Sequence, residues 1–253
     1  MWTTSAGAPA RVVLLHAHPD DESLSTGALI AGLVADGHEV SVVTATRGER
    51  GEAMGELAAL TGEAFVAQRE YELRQALAAL GVAEHAWLGS PPARADGRPP
   101  RRYADSGMRW VTPEVAGPCE DAGEDALSRA ATAEAAADLA AFLVAAAADV
   151  LISYDDAGGY GHPDHVACHH IAAAAAAQVD GVAVFEIASQ PRPGSAELVV
   201  DRAEFRPRLL SALACYPSQF RVDGDLIVHV GGQHQPITTA CRLRRLDPPT
   251  GRS

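Results

Sequence analysis

The stretch RVVLLHAHPDDESLSTGALIAGLVA, residues 11–35, reads as a strand, a tight turn and a helix in direct succession. Residues 12–15 form an apolar run of the length a buried strand needs, and residues 23–35 carry the small and apolar side chains of a packed helix. Gly37 follows where a helix-terminating glycine belongs. Between strand and helix lies HPDDE, His18 to Glu22, in the crevice where open α/β sheets hold their chemistry. The arrangement returns once. An apolar strand over 150–154 leads into GHPDH, Gly161 to His165, and then into a helix over 164–178.

Outward from these two units the alternation continues. A strand over 39–45 precedes a helix over 66–80 closed by Gly81, and a short strand over 85–88 follows. Residues 89–123 are rich in Pro, Gly and Arg without periodicity, which suits a long functional loop or lid. A helix over 127–147, which Ser128 can cap, precedes the strand at 150, and a strand over 182–187 closes the series. This order predicts a Rossmann-like α/β fold, doubly wound, with a mostly parallel sheet and helices on both faces. The 253 residues suffice for one domain, 1–253, with a core over 11–190 and an extension over 200–245 that carries a helix at 203–215 and a strand at 225–230.

Composition narrows the functions. The formal charge is −13 and every one of the 20 basic residues is arginine, so a nucleic-acid partner is disfavoured and lysine chemistry is excluded. No secretory leader is expected from residues 1–10, which lack a basic start and an apolar stretch, and the longest apolar run, 139–148, is far too short to cross a bilayer. A cytoplasmic protein with no membrane partner is expected. Cys119, Cys168, Cys215 and Cys241 show no CxxC spacing and are read as reduced and structural.

The two clusters hold the chemistry. His18 and Asp21 straddle the strand-to-helix turn, so both side chains can enter one crevice if Asp21 opens the helix. His165 would complete a His, Asp, His set around a divalent ion, zinc or iron(II), leaving a position for water. Asp20, between the ligands, is placed to take a proton from that water. His162 would stabilise an oxyanion or protonate a leaving amine, with Asp164 or Asp155 orienting its ring, and Tyr160 would add a hydroxyl donor. Together these residues suit hydrolysis. His16, His169 and His170 are read as packing or solvated residues.

HAHPDDES, TRGERGE, the segment from Arg69 to Leu73, DSGM and GGYGHPDH together resemble the LmbE-like or PIG-L family of zinc-dependent N-deacetylases over about residues 11–175. Within that family the likeness is nearest to the N-acetylglucosaminyl-inositol deacetylases of mycothiol synthesis and to mycothiol-conjugate amidases. The resemblance implies His18, Asp21 and His165 as zinc ligands, Asp20 as general base and His162 as electrostatic partner oriented by Asp164, with Tyr160 on the tetrahedral intermediate. It further implies that Glu52, Arg69, Asp105 and Met108 line an amino-sugar substrate. The reaction so implied is removal of acetate from an N-acetylglucosaminyl group, carried by inositol or by a secondary metabolite such as a glycopeptide.

Three rivals remain at this stage. A mycothiol-conjugate type of amidase would use the same site. His18, Asp20 and His165 also fit the facial triad of iron(II) oxygenases, although those usually sit on β-barrels. A sugar- or metal-binding module without turnover is the non-enzymatic reading. A homo-oligomer is compatible with all of them.

Overall fold

Strand β1 (Arg11–His16), fully apolar from Val12 to Leu15 and buried throughout that run, lies in the middle of the parallel part of the main sheet. The computed structural model describes residues 8–112 and 114–246. After β1 come α1 (Asp21–Ala35), β2 (Glu39–Thr44), α2 (Gly62–Leu80) and β3 (Glu84–Trp87). The long loop holds a small hairpin, β4 (Met108–Trp110) and β5 (Ala116–Pro118). Then follow α3 (Thr132–Ala145), β6 (Val150–Tyr154), the single turn α4 (Gly158–Gly161), α5 (Pro163–Ala176) and β7 (Ala183–Ile187). The remainder comprises β8 (Glu197–Asp201), α6 (Arg206–Leu213), β9 (Phe220–Asp223), β10 (Leu226–His229), β11 (His234–Pro236) and β12 (Ala240–Leu246).

The main sheet has seven strands in the order β3-β2-β1-β6-β7-β12-β8. The first five are parallel, and β12 and β8 extend the edge antiparallel, so the sheet is mostly parallel as expected. Side chains of alternate parity along β1 divide the core. Val12 and Leu14 pack against α1, α2 and α6, while Val13 and Leu15 pack against α3 and α5. Both faces are covered, which is why β1 is apolar on both sides from Val12 to Leu15.

Several boundaries differ from expectation for identifiable reasons. α2 begins at Gly62, four residues early, because Thr61 takes the extended N-cap conformation and frees the first turn. The helix expected over 127–147 divides into a 3-10 turn, Leu127–Arg129, and α3. Ser128 therefore caps nothing, and its N–H donates instead to Ser106 Oγ at 3.0 Å. The C-terminal helix is likewise shorter than 203–215, with a 3-10 turn at Ala203–Phe205 before α6.

β8 and β12 were invisible to pattern. The reason is Arg244, buried in β12, which pairs with Glu186 at 2.9 Å and Glu197 at 3.2 Å and so puts charges where a central strand usually shows apolar residues. No helix among the described residues is long and apolar enough to cross a membrane. Residues 1–7, on which the expectation of no secretory leader rests, and the ends of the domain expected over 1–253 lie outside the described residues.

His85, on the edge strand β3, hydrogen-bonds Thr44 Oγ1 at 3.0 Å. Burial, helped by Arg47 and Arg74, lowers its pKa from 6.5 to about 4, so the folded protein holds the ring neutral. The unfolded chain takes up the extra proton first, so this residue's contribution to stability is complete above pH 6.5 and is lost as pH falls towards 4. Urea unfolding at a series of pH values should show His85→Gln losing less stability than the parent over that window, by on the order of 2 kcal/mol.

Candidate metal centre

β1 and β6 are neighbours, but α1 leads away to β2 and α5 leads to β7, so a crevice opens between their carboxyl ends. Both motifs empty into it. Asp21 is the first residue of α1 and Asp20 its N-cap, held at φ 107°, a left-handed conformation costly for a residue with a side chain. Its N–H donates to Glu22 Oε2 at 3.1 Å, and Arg69 donates to Asp20 Oδ2 at 3.0 Å and to the Pro19 carbonyl. Opposite, the α4 turn folds back on itself through left-handed Gly158, Gly159 and Gly161. A Cβ on Gly158 would lie 2.9 Å from the Val166 backbone nitrogen, so only glycine lets this turn approach α5 so closely.

His18, His162 and His165 each bring a ring nitrogen to within 4.8 Å of the others, as do the ligand atoms of His18, Asp105 and Asp164. All are buried. Asp21 Oδ2 lies between two of the rings, 3.1 Å from His18 Nδ1 and 3.3 Å from His165 Nε2. The other face of His18 meets carboxylates too, Asp164 at 3.2 Å and Asp105 at 3.7 Å from Nε2. Burial alone would lower the His18 pKa, but Asp105, Asp164 and Asp21 hold it well above the usual value. Asp21 and Asp105, which burial would raise, are held below the carboxylate range, Asp21 by His165 and His18 and Asp105 chiefly by His18. Buried carboxylates and imidazoles gathered in this way are the donor set that a divalent cation would offset.

Hydrogen bonding separates the three imidazoles. His165 Nδ1 faces the Gly158 carbonyl at 3.2 Å, which assigns the ring proton there and leaves the Nε2 lone pair directed at the Asp21 carboxylate. That nitrogen is buried without a hydrogen bond, as a metal-ligating nitrogen would be. The His165 ring is fixed by stacking on Tyr154, centroids 4.1 Å apart. His162 is reversed. Its Nδ1 accepts from the Asp164 N–H at 3.2 Å, and burial together with His18 and His165 lowers its pKa to about 2. With Nδ1 accepting, the neutral ring has its proton on Nε2 and can donate from there, although a ring nitrogen also falls within the cluster formed with His18 and His165.

The expectation that the Asp164 carboxylate orients His162 needs correction. That carboxylate turns to His18 and to Ser106, whose N–H donates to Oδ2 at 2.9 Å and whose hydroxyl donates to Oδ1, and only the Asp164 backbone touches the His162 ring. Asp155, the alternative, accepts from the Ser189 N–H at 2.8 Å and hydroxyl at 2.7 Å instead. Burial, opposed by Arg69 and aided by Asp21, raises the Asp20 pKa to about 8.

Of the four expected substrate residues, two join the cluster. Asp105 faces His18 and accepts from the N–H groups of Arg50 at 3.1 Å and Gly107 at 2.8 Å. Arg69, only 4% exposed, binds the Gly48 carbonyl at 3.1 Å besides Asp20. Glu52 is exposed on the rim of a neighbouring cavity with Glu49, Leu60 and Phe65, and Met108 lies on β4. Neither contacts the histidines in the arrangement observed. Asp21, not Asp20, stands between the imidazoles, which disfavours the His18, Asp20, His165 triad. His16 packs as expected, 3.2 Å from the Tyr154 hydroxyl and 3.0 Å from Thr26 Oγ1.

Residues 13–176 match the family model described as GlcNAc-PI de-N-acetylase, PIG-L. The chain belongs to this family. It is 44% identical over 174 residues to a 1D-myo-inositol 2-acetamido-2-deoxy-alpha-D-glucopyranoside deacetylase from Actinosynnema mirum, an alignment covering 67% of this chain and 56% of that protein. The chain spans about half the length of the curated relatives it matches, from 43% to 56% of theirs. Among solved structures, N,N'-diacetylchitobiose deacetylase from Pyrococcus horikoshii aligns with a TM-score of 0.61 at 21% identity, covering 84% of this chain and 71% of that one. A deacetylase of teicoplanin biosynthesis in complex with teicoplanin gives 0.63 at 21% identity, covering 93% and 97%. At such identities these two structures speak for the fold.

Sequence reasoning missed Ser106, Tyr154 and Glu22, each fixing a charged or ligating residue from behind. Ser106 lay inside the DSGM motif, which was the available signal, whereas nothing local marks Tyr154 as the floor under His165. If His165 Nε2 is a ligand, His165→Ala should lower divalent-metal affinity by at least about a hundredfold. Metal content after dialysis against a graded chelator buffer measures this, and the far-ultraviolet circular dichroism should stay that of the parent.

Proposed function

We propose that this chain is a divalent-metal-dependent N-deacetylase acting on an N-acetylglucosaminyl group, with His18, Asp21 and His165 as ligands and zinc or iron(II) as the metal. The observation that carries the reading is the split between His165, whose buried lone pair points into the cluster, and His162, whose proton does. One ligand and one donor side by side suit amide hydrolysis. When bound, a divalent ion there would polarise the amide carbonyl and favour ionisation of water near neutral pH.

The residues divide the remaining work. Asp20 accepts a proton as the water oxygen bonds to the carbonyl carbon. His162 Nε2–H donates to the carbonyl oxygen as charge develops on it, and the Tyr160 hydroxyl offers a second donor from the same loop. The C–N bond then breaks, the proton passes from Asp20 to the sugar nitrogen, and acetate and a free amine leave. Arg69 holds Asp20 in register, and Asp105, with Glu52 and Met108 further out, faces the sugar.

The deacetylase relatives named above support an N-acetylglucosaminide as substrate. Acetate release from a panel of N-acetylglucosaminides, with inositol among the carriers, tests the reaction directly. Asp20→Asn should retain metal and lose at least about a thousandfold in kcat, in line with loss of a general base. Near-parental turnover by that variant would remove Asp20 from the proton transfer.

A further inference from the structure

The β4–β5 hairpin carries an apolar surface at the mouth of the site. Strand alternation places Met108 and Trp110 on one face, and antiparallel pairing sets Pro118 opposite Met108 and Ala116 opposite Trp110. That face is entirely apolar. Trp110 is 43% exposed, and the flanking Val111 and Val115 are 59% and 47% exposed. Single exposed apolar residues are ordinary, but Trp110 meets Tyr160, 42% exposed, whose ring stacks on it with centroids 5.8 Å apart, and a Cβ at the neighbouring Gly161 would lie 3.4 Å from Val115 Cγ1. A two-stranded ribbon is marginal on its own, so its exposed tryptophan and valines do not serve its own folding.

Its position says what covers it. Tyr160 lies 5.5 Å from the His165 ring and 6.0 Å from the His162 ring, and β5 packs so closely on the same loop that a Cβ at Gly161 would lie 2.7 Å from the Ala116 carbonyl oxygen. The apolar lip is thus continuous with the crevice. The rest of the crevice is polar, with Asp105, Glu49, Arg50 and Arg69 suited to sugar hydroxyls. A substrate whose acetamide reaches the histidines has its other end leaving across one of these walls.

We infer that the lip formed by Trp110, Val115 and Tyr160 binds the group glycosidically attached to the amino sugar, and that this group is an alkyl or aryl substituent. The inference rests on the deacetylase reading for the sugar but not for the lip. Acetate release is compared for methyl and octyl N-acetylglucosaminide, the latter below its micelle concentration. The parent should favour the octyl glycoside in kcat/KM by at least about tenfold, and Trp110→Ala should bring the ratio to within about twofold of one, as loss of an apolar contact of that size predicts. Using the ratio cancels any change in chemistry common to both substrates. Val115→Ser, at an exposed position, should lower it as well. A parental ratio near one, or a ratio preserved in Trp110→Ala, overturns the inference.

Calorimetric binding of the same two glycosides separates the two readings. Octyl-selective binding that Trp110→Ala abolishes, without acetate release by the parent, upholds the lip and removes the deacetylase reading. Equal binding by parent and variant removes the lip. A dimer in sedimentation that Trp110→Ala dissociates, with no octyl preference, assigns the surface to a second copy of the chain and also overturns the inference.

Discussion

One carboxylate oxygen organises the site: Asp21 Oδ2, which accepts the His18 N–H at 2.9 Å and stands between the rings of His18 and His165. It can do so because Asp21 is the first residue of α1, where a helix N-terminus favours negative charge. It also requires β1 and β6 to be adjacent, since His165 comes from the far motif and the two strands pair Val12 with Val150. The sheet order and the meeting of the two motifs are therefore one fact. A sheet that placed another strand between β1 and β6 would part the histidines and leave buried carboxylates without a partner.

The local pieces of this arrangement were legible in the chain. A strand, a polar turn and a helix within 25 residues fix where His18 and Asp21 point, because strand end and helix start are both set by near neighbours, and the same holds for His165 at the start of α5. Side-chain choices between distant segments were not legible. Whether Asp164 serves His162 or His18 depends on Ser106, which reaches it from the long loop, and no periodicity in residues 89–123 announces that contact. Strands β8 and β12 were lost for a related reason. Arg244 is tolerable in β12 only because Glu186 and Glu197 come from two other strands, so its burial can be understood only after pairing is known.

Arg69 shows the same limit from the opposite direction. An arginine within a helix reads as a solvated charge, yet here it is buried and ties together the Gly48 carbonyl, the Pro19 carbonyl and the Asp20 carboxylate. Gly48 is left-handed and lies so close that a Cβ there would collide with the guanidinium, which explains the glycine of the TRGERGE stretch. The motif is thus a packing solution around an arginine whose partners sit across the crevice.

Holding Asp20 in a left-handed conformation costs about 1–3 kcal/mol, and that strain persists only where surrounding contacts over-determine it. Arg69 supplies one constraint from α2. The other comes from Glu22, fully buried with no cation against it, whose carboxylate accepts from the Asp20 N–H on one oxygen and from Ser23 and the Tyr216 hydroxyl, at 2.6 and 2.7 Å, on the other. Tyr216 lies beyond the family-matched residues 13–176, after α6. The C-terminal extension is therefore more than a cover for α1 and α2: through one buried carboxylate it reaches the strained turn itself, and the geometry of the first motif depends on a segment nearly two hundred residues away.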